Sequence, residues 1–126
     1  MLILSASLED YLEVILNLIC QKGEAKASDI ALKMNVKKAS VTDALKALSL
    51  KGLIDYEPYK PIILTKQGKI FADNVIERHD ILSVFFEKIL GLEKAEAADN
   101  ACRMEHVISA NALEKIKDLI RDYTKK

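Results

Sequence analysis

Apolar residues recur at Leu8, Tyr11, Leu12, Ile15, Leu18 and Ile19, the spacing of a helix with one buried face, and Ser7 stands where an N-cap belongs. Lys22-Gly23 closes that segment. A shorter helix from about Lys26 to Met34 follows, with Ser28 and Asp29 near its start and Ile30, Ala31 and Met34 as apolar positions. Asn35-Val36-Lys37-Lys38 makes a polar turn, and a third helix from about Ala39 to Lys51 sets Val41, Leu45 and Leu48 on one face before Gly52 stops it. Two short helices joined by a tight turn form a helix-turn-helix.

The period then changes. Leu53-Ile54-Asp55-Tyr56-Glu57 alternates as a strand does, Pro58-Tyr59-Lys60-Pro61 supplies a turn, and Ile62-Ile63-Leu64-Thr65 returns as a second strand, so a two-stranded wing follows the third helix. From Lys66 a helical pattern runs through Ile70, Val75, Ile81, Leu82, Phe85, Phe86 and Ile89 toward Leu90, ending at Gly91. Further helices are predicted from about Lys94 to Ser109 and from Asn111 to Tyr123. The expected fold is mainly α, with a winged helix-turn-helix over residues 1–72 and an all-helical domain over residues 73–126. The second domain carries more apolar surface than so small a lobe can cover alone. The stripe Phe85, Phe86, Ile89 and Leu90, with the apolar face of the last helix, is therefore expected at a homodimer interface.

The chain has 126 residues, 50% of them hydrophobic, with two Pro and four Gly, which fits a folded and mostly helical protein. No stretch approaches the roughly 20 apolar residues of a membrane span, and Met1 to Ala6 is too short for a signal peptide, so a cytoplasmic protein without membrane attachment is expected. Cys20 and Cys102 are too few and too far apart for a disulfide framework, so the thiols are expected to be reduced, with Cys20 buried in a helix. Net charge is zero, but residues 22–69 carry ten Lys against five acidic residues. Phosphates respond to nearby charge rather than to the total, so this segment can attract a polyanion.

If the helix-turn-helix reads DNA, the third helix enters the major groove while the wing and the preceding helix touch phosphates. Ser28, Lys37, Lys38, Ser40, Thr42 and Lys46 are its polar contact residues, and Lys60 marks the wing tip. Hydroxyls and lysines suit phosphates better than base edges, Asp43 alone suits a cytosine amino group, and much of the specificity would come from DNA shape. Without interleaved aromatics, double-stranded DNA is a better partner than single strands.

Cys102-Arg103-Met104-Glu105-His106 puts a thiol, a carboxylate and an imidazole on one side of one helical turn. That combination suits a transition metal. The plain alternative is a half-buried helix with an inert cysteine and two surface polar residues. Asp10 and Glu13, three residues apart on the first helix, and His79 in the long helix bring the donors to six.

The string Glu9-Asp10-Tyr11-Leu12-Glu13, the winged helix through Ala39-Ser40-Val41-Thr42, Leu64-Thr65-Lys66-Gln67-Gly68, Glu77-Arg78-His79 and Cys102-Arg103-Met104-Glu105-His106 resemble, in order and spacing, the diphtheria toxin repressor and manganese transport regulator family of metal-dependent transcriptional repressors. The resemblance implies a DNA-binding domain followed by a dimerisation domain, with the metal site between them. The C-terminal barrel of longer members is expected to be lacking, since the chain ends at Lys126. It also implies a primary metal site of Asp10, Cys102, Glu105 and His106 and a neighbouring one of Glu13 and His79, bridged by Glu105. Asp10 and Glu13 resemble the manganese branch and Cys102 the iron branch. Where iron-type members place a Glu and a His, this chain has Ser83 and Ala98. The soft thiolate favours Fe(II) over Mn(II), with Co(II), Ni(II) or Zn(II) as substitutes.

The expected function is repression of metal-uptake genes by a homodimer whose recognition helices reach a palindromic operator about 34 Å apart, with the ion as corepressor. A winged-helix regulator answering to a small molecule, or to thiol oxidation at Cys102, is the alternative. An enzyme is not expected, and neither is a small-molecule substrate: no nucleophile, phosphate loop or cofactor motif is present.

Overall fold

Ser5, not Ser7, caps the first helix of the computed structural model, which describes residues 4–125. Its hydroxyl accepts from the Leu8 amide at 3.2 Å, which starts the helix two residues earlier than expected and satisfies one of the donors a helix N-terminus leaves open. Helix α1 (Ala6–Lys22) buries Tyr11, Leu12, Ile15, Leu16 and Leu18 and ends at Gly23 with φ 85°. Cys20, expected inside, is exposed on the last turn, beyond the buried stretch.

Helices α2 (Ala27–Met34) and α3 (Lys38–Leu50) pack on each other and on α1. Asn35 joins them in the left-handed region, at φ 55° and ψ 51°, a conformation asparagine tolerates better than most residues. The Val36 amide donates to the Ala31 carbonyl at 3.1 Å and completes the turn. Val41, Ala44, Leu45 and Leu48 carry the inner face of α3 into the same core.

The wing strands, β1 (Ile54–Asp55) and β2 (Ile63–Leu64), pair antiparallel with Ile54 opposite Leu64. They are shorter than the alternation predicts because the flanking amides go elsewhere. Leu53 donates to the Leu48 carbonyl at 3.0 Å, and Ile62 donates to the Ala25 carbonyl at 2.8 Å. Ala25, just ahead of α2, thereby becomes a third extended partner of the wing.

Helix α4 (Lys66–Val84) begins at a compact junction. Thr65 Oγ1 accepts from the Gly68 amide at 3.0 Å and donates to the Gly52 carbonyl at 2.7 Å, so one hydroxyl caps the helix and ties it to the end of α3. Thr65→Ala is expected to cost about 1 kcal/mol of unfolding free energy. A urea midpoint unchanged from wild type would show that the cap contributes nothing.

The chain divides into two compact units at Asp73 and Asn74. In the second, α4 passes into a π-helical turn, Phe85–Ile89, and Gly91 turns the chain at φ 74° toward α5 (Lys94–Met104). That helix does not run to Ser109 as predicted. The amides of Val107 and Ile108 both close on the Met104 carbonyl, and Ser109 caps α6 (Ala110–Thr124) by accepting from the Ala112 amide at 3.1 Å. Glu105, His106 and Val107 therefore form a turn between helices.

The stripe expected at a dimer interface is partly covered within this unit, and none of Phe85, Phe86, Ile89 and Leu90 is fully buried. The π-helical turn packs on α5 and α6, the Phe85 and Phe86 rings meet edge to face at 5.4 Å, and Leu90 remains exposed. Helix α6 buries no residue, and Leu119 and Tyr123 face outward. Lys117 donates to Glu77 on α4 at 2.8 Å and to Glu114 at 3.2 Å. The bond to Glu77, then that to Glu114, raises its pKa above the ordinary lysine value, so the ammonium keeps its proton further into alkali. No described helix is long and apolar enough to cross a membrane.

Candidate metal centre and nucleic-acid interface

In the second unit, α4 contributes His79, the last turn of α5 contributes Cys102, and the turn after it contributes Glu105 and His106. Glu105 is 2% exposed, the most buried charged side chain among the described residues. Its Oε2 lies 2.8 Å from His79 Nδ1 and its Oε1 lies 3.4 Å from His106 Nε2. Cys102 Sγ lies 3.7 Å from the same His79 nitrogen. Three of the other five expected donors thus cluster with this carboxylate, two at its oxygens and the thiol at His79.

A buried carboxylate is unfavourable unless a positive group neutralises it. Here both oxygens face imidazole nitrogens, each able to carry either a proton or a metal ion, with a thiol alongside. Carboxylate, imidazole and thiol together are a donor set that a divalent transition ion fits. Asp10 and Glu13 lie on α1 in the first unit, three residues apart on one side of the helix. The trio 102–106 was expected within a single helical turn. Because α5 ends at Met104, it straddles a helix terminus instead, and the turn is what lets Glu105 and His106 leave the helix axis.

In the first unit, a groove of about 570 Å³ runs between the α2–α3 pair and the wing. Ser28, Lys38, Thr42, Lys46 and Lys60 line it, five of the seven expected contact residues. Lys37 and Ser40 are exposed at the start of α3, outside that lining. Lys26, Tyr56, Pro58 and Tyr59 line it too and were not anticipated. In the run Pro58-Tyr59-Lys60-Pro61 only Lys60 was expected as a contact, and nothing local shows that its neighbours face α3. Lys26 pairs with Glu24 at 3.4 Å and Lys60 with Glu57 at 2.7 Å, whereas Lys38 and Lys46 form no ion pair among the described residues. Within that lining, their ammonium groups carry charge that no carboxylate of the described residues offsets.

Residues 3–62 match the family described as iron dependent repressor, N-terminal DNA binding domain, and residues 65–126 match iron dependent repressor, metal binding and dimerisation domain. The chain is 34% identical over 124 residues to an uncharacterised HTH-type transcriptional regulator of Methanocaldococcus jannaschii, covering 98% of this chain and 99% of that one. It is 38% identical over 114 residues to the HTH-type transcriptional regulator MntR of Oceanobacillus iheyensis, covering 90% and 77%. Among solved structures, the manganese regulator SloR aligns at a TM-score of 0.80 with 28% identity, covering 90% of this chain and 53% of that one. The IdeR of T. acidophilum, at a TM-score of 0.77 and 24% identity, shares the fold over 87% of this chain and 52% of its own. This chain spans about half the length of those two regulators.

Proposed function

Because the chain belongs to the iron-dependent repressor family, a family of metal-dependent transcriptional regulators, we propose that it represses metal-uptake genes with a divalent ion as its corepressor. The observation that carries this reading is the buried Glu105 carboxylate with an imidazole at each oxygen and the Cys102 thiol beside it. A catalytic reading has no such support, and the named relatives are transcriptional regulators.

Cys102, Glu105 and His106, with Asp10 of α1, are the proposed primary ligands; Glu13 and His79, with Glu105 in common, are the second set. When bound, the cation supplies the positive charge that lets these carboxylates share one site. Asp10 and Glu13 belong to the unit that reads DNA and the other donors to the unit that pairs. Shared ligation therefore favours one arrangement of the two, and the ion shifts the population toward it. The exposed apolar residues of α6 serve pairing with a second copy, and the two recognition helices then address half-sites of a palindromic operator about 34 Å apart. The thiolate supports Fe(II) ahead of Mn(II).

The test is duplex binding by protein loaded in turn with Fe(II), Mn(II), Co(II) or no metal, without oxygen, using duplexes selected from a random pool. Metal is expected to tighten binding at least about tenfold, on the order of typical allosteric couplings. Equal affinity with and without metal would refute the corepressor role and favour a regulator that answers to another signal.

A further inference from the structure

The wing tip closes as a four-residue turn, Glu57-Pro58-Tyr59-Lys60, in which the Lys60 amide donates to the Glu57 carbonyl at 3.2 Å. Proline fits the second position of such a turn, while a positive φ at the third calls for glycine or asparagine. The third residue here is Tyr59, at φ 66°. A bulky side chain is disfavoured in that region, and an unfavourable backbone persists where something uses it. Nothing inside the described chain covers this ring, which is 105% exposed. Charge is not what the tip offers either, since Lys60 is neutralised by Glu57 at 2.7 Å.

We infer that Tyr59 is a specificity-determining residue whose ring enters the DNA minor groove flanking the major groove occupied by α3. The inference rests on the DNA-binding reading above and deepens it. Tyr59 and the exposed lysines of α3 line one groove, so a duplex seated on Lys38 and Lys46 brings its next minor groove to the wing. An aromatic ring there packs on deoxyribose and reads the groove floor by shape. A guanine amino group projects from that floor and displaces the ring, whereas an A·T pair leaves room.

Inosine·cytosine pairs separate groove from groove, because they look like G·C in the major groove and like A·T in the minor. Metal-loaded full-length protein is titrated with a duplex selected from a random pool, in which each A·T pair is changed in turn to I·C or G·C. At the wing positions wild type is expected to accept I·C within about twofold and to lose about tenfold on G·C. Tyr59→Ala binds all three alike with an unchanged salt slope, and Tyr59→Phe discriminates as wild type does. Discrimination surviving in Tyr59→Ala, or a wild type that treats I·C and G·C alike, overturns the assignment and leaves the repressor reading intact. A wild type that selects no duplex at all removes both.

Discussion

Replacing Glu105 by glutamine is expected to weaken divalent metal binding by at least about 100-fold, a loss at the upper end of those caused by removing groups that merely support a ligand. The change keeps the side chain's volume, so packing around the turn is preserved. What it removes is the negative charge that two imidazole nitrogens face at 2.8 and 3.4 Å. With the carboxylate gone, His79 and His106 lose the anion that makes a cation between them acceptable. Competition against a metal-sensitive dye measures the affinity, and circular dichroism checks that the helices remain. Metal affinity within a few-fold of wild type would mean that Glu105 is a buried structural acid. Metal-dependent duplex binding is expected to vanish in the same variant.

The second large effect is expected at Gly68. A methyl group built on this residue would sit 1.8 Å from the Leu53 carbonyl oxygen and 2.8 Å from its carbon, contacts that only backbone movement can relieve. The obstacle is main chain, held by the Thr65 amide that donates to that carbonyl at 3.1 Å. Gly68→Ala is therefore expected to destabilise the protein by about 3 kcal/mol, although alanine is the better helix former at an unconstrained site. A urea titration followed by far-ultraviolet dichroism measures it. A change smaller than about 0.5 kcal/mol, the range of ordinary surface substitutions, would show that α4 and the wing do not pack as described.

Much of the first unit is written in the spacing of its apolar residues. Tyr11, Leu12, Ile15 and Leu18 on α1 and Val41, Leu45 and Leu48 on α3 were each expected on an inner face, and each is buried. Boundaries were less legible where two residues compete for one role. Ser5 and Ser7 are both good caps, and only the Leu8 amide decides between them. Helix α5 shows the same limit, since Met104 to Ser109 contains neither Gly nor Pro, and the break comes from Ser109 capping the next helix. The π-helical turn at Phe85–Ile89 left no mark on the hydrophobic period. At the metal centre, residue type and local spacing marked Cys102, Glu105 and His106, but the convergence of His79 depends on how α4 lies against the turn after α5. Gly68 was hidden because it meets a carbonyl fifteen positions earlier in the chain, and Tyr59 because its ring is covered by nothing among the described residues.

The single bond from Ile62 to the carbonyl of Ala25 fastens the hairpin to the residue that leads into the helix pair. Hairpin and helix pair are thereby joined through main chain, so that in the DNA-binding reading proposed above both would address a duplex as one body.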